Sequence, residues 1–392
     1  MKKFFLVLSV LIPILFQSCT KENVASTPKI VSILRVGTAK LEITPKNTGD
    51  SYPLEGYGTI ISQGVHDPIT ARCIIIDDGK QKLAFITVDL CLGFAAYPLF
   101  YPRLKEAIEK INIPAKNIFV SAIHTHSAPS MRRSDYAELV FNKLGELIVE
   151  ANSALEPATV YYNSGVITGK TKNRRHPERQ PDGTVITMRF LNAQGKCLAS
   201  LINFACHAVI LGPDNTLISA DFVYYLRERI EKEYGGTALF INRHAGDINP
   251  PGGYNRSGGT FAMAEDFGVS IANDIIAMQS SEKPDKITIK VNRKITKDGS
   301  DLSIIDFGKA QIMAIPGESL SDFGNIIDDI LPGPYKFYFS YTDGNEGYIV
   351  PQNEWGKCKS SFMPQCYEET RSHPSLAETL EQEYRKMAKD FF

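Results

Sequence analysis

Basic residues are not in excess: 43 Lys and Arg stand against 44 Asp and Glu in 392 residues. No positive field exists to hold a phosphate backbone, so nucleic acid is not expected as a partner. Phosphate-cradling glycine loops are missing too. Neither GxxxxGK[ST] nor a strand-coupled GxGxxG occurs, which argues against a nucleotide. The Gly-x-Ser-x-Gly elbow is absent, removing the usual cue for a serine α/β-hydrolase. Seven cysteines (19, 73, 91, 197, 206, 358 and 366) include no CxxC pair, so a thiolate zinc site is unsupported. No internal repeat or low-complexity block interrupts the chain, and 43% hydrophobic residues suffice for a substantial core.

One apolar run stands apart. Lys2-Lys3 precedes Phe4 to Phe16, which ends in Gln17-Ser18-Cys19. Residues 1–18 read as a signal peptide, Cys19 as a lipidated new N-terminus, 19–31 as its tether, and 32–392 as one large domain. A short transmembrane anchor is the alternative; Pro13 interrupts a run already below the ~20 residues a span needs. The expected location is therefore exported, periplasmic or outer-membrane, with membrane contact through the lipid on Cys19. Without Lys2 and Lys3 the chain carries 41 basic against 44 acidic residues, so basic-patch contact with anionic lipid is not expected.

Strand and helix patterns alternate along the remainder. Ile69–Ile76 and Leu83–Leu90 are rich in Ile, Val and Phe and flank Asp78-Gly79, which predicts an antiparallel hairpin. Helical spacing over Tyr101–Ile111 leads to a further strand, Asn117–Ile123, so a parallel crossover is expected. Asp135–Leu155, Phe222–Tyr234, Phe261–Met278 and Ser375–Asp390 read as helices. Thr159–Asn163, Val185–Leu191, Cys197–Cys206, Ala238–Asn242, two runs around Ile304–Ile315, and Lys336–Tyr341 read as strands. The predicted class is α/β, a mixed sheet core with flanking helices in a single large domain. Gln279–Lys286 is the nearest thing to a boundary, and Cys358 with Cys366 are close enough to close a small loop.

Candidate chemistry falls where strands end. Asp89, His124 and His207 each follow an apolar strand, the edge where open α/β sheets collect ligands. In Ser121-Ala-Ile-His124-Thr-His126-Ser127, residues two apart on an extended chain share a side, so both imidazoles can face one pocket. His-x-His is a common metal spacing, but it serves equally for a hydrogen-bonded pair in a loop. His207 and Glu318, in Ile315-Pro-Gly-Glu318, offer further ligands, though each alone is more often structural. Asn242-Arg-His244-Ala-Gly246-Asp247-Ile-Asn249-Pro250-Pro251, followed by Gly252-Gly253, presents Asp247 and Asn249 at another strand end, or is a plain connecting loop.

Taken in order, Val36-Gly-Thr-Ala-Lys-Leu-Glu-Ile-Thr-Pro45, Gly56-Tyr57-Gly58, Val65-His66-Asp67-Pro68, His124-Thr-His126-Ser127, Gly246-Asp247-Ile-Asn-Pro250, Pro316-Gly-Glu318 and Gly347-Tyr348 resemble the catalytic domain of neutral (non-lysosomal) ceramidases. The resemblance runs from about Val36 to Tyr367. It implies one zinc ion held by His124, His207, Glu318 and Tyr348, with a position left for water. It also implies that His126, Arg174 and Tyr367 line the same site. On this reading His126 or Asp247 takes a proton, Arg174 and Tyr367 stabilise a developing oxyanion, and Asn249 positions substrate.

Asn249 is the main departure, because the family carries serine there, in Gly-Asp-Val-Ser-Pro. Asparagine is no alcohol nucleophile, but a metal that lowers the pKa of bound water toward ~7 needs none. The resemblance therefore implies cleavage of an N-acyl, ceramide-like amide in a small-molecule or lipid substrate, without implying ceramide specificity. It also leaves no counterpart for the extra C-terminal sandwich domain of the longer ceramidases. Two alternatives fit the same residues: a related metal-dependent esterase, lactonase or carbohydrate-directed hydrolase, and an inert ligand-binding surface lipoprotein.

Overall fold

In the computed structural model the strands and helices stack as four layers. Residues 1, 34–46, 52–58, 60–92, 97–251, 258–278, 281–284, 287–359 and 366–392 are described, with backbone alone at 97–99. The chain divides into two units, Met1–Ser32 and Ile33–Phe392. The expected signal peptide, Cys19 and tether lie outside the described residues, as does Gly252-Gly253 and part of Gln279–Lys286. No helix among the described residues is long and apolar enough to cross a membrane.

The larger sheet has eight strands: β1 Arg35–Glu42, β2 Thr70–Asp77, β3 Lys82–Val88, β4 Ile118–Ala122, β5 Glu156–Val166, β6 Thr184–Asn192, β7 Cys197–Phe204 and β8 Thr237–Asn242. Their order is β8-β7-β6-β5-β1-β2-β3-β4. The β2–β3 hairpin is antiparallel and turns at Gly79, whose φ of +81° suits glycine. The pairs β3–β4 and β7–β8 are parallel, so the sheet is mixed. β4 follows α1 (Tyr97–Ile111), which begins one turn before the Tyr101 expected from spacing.

Both faces of this sheet are covered, which explains why β2 and β3 read as unbroken apolar runs rather than alternating ones. Cys73, Ile75, Ala84 and Ile86 face a core shared with α1, α2 (Ser134–Ser153), α3 (Phe222–Tyr234) and α4 (Phe261–Ala277). Ile74, Ile76, Leu83 and Phe85 face the opposite core. There they meet Ile305, Ile312, Phe337 and Phe339 of a second sheet, β9 Lys290–Ile295, β10 Asp301–Asp306, β11 Ala310–Ala314 and β12 Tyr335–Phe339. The outer face of that sheet is covered by α5 (Ser321–Ile327) and α6 (Leu376–Lys389), through Phe323, Leu380 and Tyr384.

One irregularity shapes the site. β1 and β5 pair only at Arg35 with Pro157 and Val36 with Glu156, so the large sheet is two halves joined at one corner. The second half folds back on the first. Thr237 Oγ1 donates to Thr38 Oγ1 at 3.3 Å, and Arg72 donates to the Ala238 carbonyl at 2.9 Å. Strand ends far apart in sheet order are thereby brought together.

Candidate functional site

Asn242, at the end of β8, ties those strand ends. Its buried amide donates to the Ile123 carbonyl at 2.9 Å and accepts from the Cys206 N–H at 3.2 Å. His124 and His207, the next residues along each segment, therefore converge. The sheet edge is not extended there: His124 has a φ of +65° and turns out of strand geometry. His126 still reaches the same place, its Nε2 3.3 Å from that of His124, but by a turn rather than by the alternation of an extended chain.

The ring orientations follow from hydrogen bonds on the far nitrogens. His124 Nδ1–H donates to the Cys91 carbonyl and His207 Nδ1–H to the Ala245 carbonyl, each at 2.5 Å. A proton on Nδ1 leaves a lone pair on Nε2, the arrangement that metal-binding histidines use. Both Nε2 atoms face one oxygen of Glu318, Oε2, at 3.2 and 3.4 Å. Donor atoms of His124, His207 and Glu318 lie within 4.8 Å of one another.

Three converging electron-rich atoms repel unless a cation or proton lies among them. His207 Nε2 and Glu318 Oε2 are buried and have no hydrogen-bond partner, an arrangement that a bound cation would satisfy. Without metal a proton takes that role. Burial alone would lower the pKa of His124, but Glu318 and Cys91 outweigh it and hold the imidazole well above its usual value. Burial would raise Glu318, yet His124 and His207 hold its carboxyl well below the usual range. His207 falls to about 4, through burial and the Arg174 charge. Two imidazoles and a carboxylate fit zinc.

Glu318 meets Tyr348 because Glu318-Ser319 pairs in parallel with Tyr348-Ile349, with Glu318 opposite Tyr348. The Tyr348 hydroxyl accepts from Arg174 at 3.0 Å, and Arg174 Nε donates to Glu368 at 2.9 Å. Burial and then Glu318 raise the Tyr348 phenol well above its ordinary value. Tyr367 sits at the margin, its ring 6.0 Å from that of Tyr348. Arg175 also binds Glu368, and Cys366, just before Tyr367, is bonded to Cys358.

Asp247 is placed differently from a proton acceptor. Its oxygens accept from the Ser321 N–H and hydroxyl, each at 2.8 Å, and from Asn173 at 2.5 Å. Its backbone carbonyl accepts from the Arg174 N–H at 2.8 Å. It fastens the Asn173-Arg174, Gly246–Asn249 and Glu318–Ser321 segments together. Asn249 is fully buried, and neither end of its amide has a partner. It adjoins Ile248, whose carbonyl accepts from the His207 N–H.

His126, like His207, is held as a neutral imidazole. Burial, then His124 and His207, drive its pKa well below normal, so it stays unprotonated near neutrality. Its Nδ1 has no partner. The remote Gly56 segment is packed against it to the limit: a Cβ at Gly56, where φ is +119°, would stand 2.4 Å from the His126 ring. Gly56→Ala is therefore expected to displace the His126 ring; if the site is a metal-dependent hydrolase, kcat/KM falls at least about tenfold, while metal content, checked by elemental analysis, stays at the wild-type level.

Asp89 does no chemistry despite its strand-end position. It is buried in a bidentate pair with Arg227, at 2.6 and 2.7 Å, and accepts from Thr70. Tyr341, by contrast, was not signalled by any motif. Its ring stacks on His124, centroids 4.3 Å apart. Only the contact across more than two hundred residues reveals it.

Comparison with known proteins places these features. Residues 34–251 match the family model for neutral/alkaline non-lysosomal ceramidase, N-terminal. A neutral ceramidase of Pseudomonas aeruginosa is 24% identical over 249 residues, covering 55% of this chain and 37% of that protein. One from Drosophila melanogaster is 23% identical over 262 residues, covering 55% and 36%. The chain thus spans well under half the length of the curated relatives it matches. Among solved structures, the Pseudomonas aeruginosa neutral ceramidase superimposes with a TM-score of 0.73 at 17% identity, covering 91% of this chain and 74% of that one. A ceramidase complexed with C2 gives 0.71 at 16% identity, covering 91% and 75%. At that identity the likeness is one of fold. Glu318 and Tyr348 lie beyond the stretch matched by the family model; the structure itself brings Glu318 to the two histidines and Tyr348 to Glu318.

Proposed function

The chain belongs to the neutral/alkaline non-lysosomal ceramidase family, and from that premise we propose that it is a zinc-dependent hydrolase cleaving an N-acyl amide bond. The observation that carries this reading is the convergence of His124 Nε2, His207 Nε2 and Glu318 Oε2, two of them unpaired and buried. These three residues would hold one zinc ion, with Tyr348 as the fourth ligand carried over from the family resemblance. When bound, zinc supplies Lewis-acid polarisation and an acidified water at neutral pH.

The chain's own groups do the rest. His126, neutral and with Nε2 at the site, takes the proton from the attacking water. Arg174, pinned between Glu368 and Tyr348, holds a fixed positive charge where negative charge develops on the substrate oxygen. Its placement relies on Asp247, which secures the segment bearing it. Tyr367 bounds the site beside Tyr348, and Asn249 offers an amide donor and acceptor to the substrate.

Export and attachment to a membrane through lipid on Cys19 complete the proposal, supported by Lys2-Lys3 and the Phe4–Phe16 run. A second reading, an esterase or carbohydrate-directed hydrolase, draws on Asn249 in the place of the family serine.

The test is elemental analysis of the purified protein together with a panel of N-acyl amines, ceramide first, and matched esters. The expected result is about one zinc per chain and hydrolysis of an amide that is lost in His124→Ala. Retention of both zinc and hydrolysis in His124→Ala would show the site to be elsewhere. Cleavage of esters alone would favour the second reading.

A further inference from the structure

We infer that the cavity beside the Arg243-His244 segment is a second ligand site, built around Arg243 for a small hydroxylated carboxylate of the sugar-acid type. The cavity measures about 660 Å³. None of the candidate zinc ligands lines it, although Asn173, Ile248 and Ser321, from the segments that Asp247 fastens, form part of its wall. The inference therefore stands apart from the hydrolase reading.

Five arginines are buried among the described residues: Arg72, Arg174, Arg175, Arg227 and Arg243. The first four have a carboxylate within hydrogen-bond reach, Arg72 that of Glu231, Arg227 that of Asp89, and Arg174 and Arg175 that of Glu368. Arg243, only 6% exposed, is the exception. Its nearest carboxylate is that of Asp182, 3.8 Å from Nη2 and too distant for a hydrogen bond. Nη1 donates to the Lys336 carbonyl at 2.9 Å, and the Tyr338 ring covers the guanidinium at 5.1 Å. Nε and Nη2 have no hydrogen-bond partner among the described residues. Unlike the Nε atoms of Arg175 and Arg227, neither is closed off from solvent. Because Arg243 lines the cavity, the open side of its guanidinium is the cavity side. Burial lowers its pKa, and Asp182 restores only part of the loss. A buried cation held by one carbonyl is costly unless an anion completes it.

The two unused positions define that anion. Nε–H and the adjacent Nη2–H run parallel, a fork that matches the two oxygens of a carboxylate. The rest of the wall limits the charge. Asp322 already accepts from Arg179 at 3.1 Å and Asp328 from Lys336 at 2.9 Å, so neither pair adds net charge. Asp182 is left over, and it would repel a second negative charge on the ligand, which disfavours a phosphate dianion. Around the fork, Asp182, Asp322, Gln180 and Asn325 supply acceptors and donors for hydroxyl groups. Polar side chains outnumber aliphatic ones in this wall, so an alkyl chain finds little to cover it.

The experiment is calorimetric titration of the full chain with glucuronate, beside glucose, which lacks the carboxylate, acetate, which lacks the hydroxyls, and inorganic phosphate. Wild type is expected to bind glucuronate at least about tenfold more tightly than any of the other three. Arg243→Gln should weaken glucuronate at least about tenfold and melt no lower than wild type, because it removes a buried charge that lacks a close partner. Should that variant fail to fold, Arg243→Lys keeps the charge without the fork, and the same weakening is expected. Glucuronate should raise the Tm of wild type and leave that of the folded variant unmoved. Undiminished glucuronate binding in either variant would overturn the inference. So would glucose, acetate or phosphate binding as tightly as glucuronate, or no glucuronate binding by wild type at about 10 mM.

Discussion

On the proposed zinc-hydrolase reading, replacing His207 or Glu318 by alanine is expected to strip zinc from the protein and to lower amide hydrolysis by at least about a thousandfold. Both side chains point their unpaired atoms at the same spot, and no other buried carboxylate among the described residues makes a cluster with His124 and His207. Glu318→Ala removes the only negative charge in that trio. His207→Ala leaves Glu318 facing His124 alone. Because a ligand that binds only the folded state raises Tm, chelation should lower the melting temperature of wild type and leave either variant unmoved. Elemental analysis and melting curves with and without chelator measure both effects. A Glu318→Ala protein that kept stoichiometric zinc would remove this carboxylate from the metal site.

Asp89→Ala is expected to destabilise the fold by about 3–5 kcal/mol, because it leaves the guanidinium of Arg227 buried and uncompensated. Both residues are fully buried, and the pair is bidentate. Substituting both partners with apolar residues should recover much of the loss, as usually happens when a buried pair is removed whole. The pH dependence has a definite sign. Burial alone would raise the pKa of Asp89, but Arg227 outweighs it and holds the carboxyl below its usual value. The pair's contribution is therefore complete above the unfolded pKa of ~3.9 and is lost as pH falls through the lower folded value. Denaturant melts of wild type and Asp89→Ala should be far apart at pH 7 and should converge only in acid below about pH 4. A constant gap down to pH 2 would mean that the carboxylate charge is not what holds Arg227.

Much of this molecule was legible locally. Apolar runs and helical spacing located ten of the twelve labelled strands and five of the six labelled helices, since burial leaves its mark on adjacent residues; β1, β9 and α5 were not signalled. The β2–β3 hairpin followed from Asp78-Gly79, and the parallel β4 from the helix before it. Composition alone made phosphate and nucleic-acid chemistry unsupported. The motif Pro316-Gly-Glu318 was readable as a unit, but what leaves Gly317 no room for a Cβ is remote in the chain, the Gly347 carbonyl 2.7 Å away.

Tertiary structure decided what those residues do. Asp89 and His124 end neighbouring parallel strands and look alike in sequence, yet one meets a buried arginine 138 residues away and the other meets Glu318. Asp247 and Asn249 lie two apart in one motif. Three donors saturate the first, while the second has none. The amide of Asn242 that joins the two histidine segments, the carbonyls that orient each imidazole, and the stacking of Tyr341 on His124 all span residues remote in the chain. Periodicity records whether a side chain is buried. It does not record which partner it finds there, because that choice depends on how the two halves of the sheet fold back on each other.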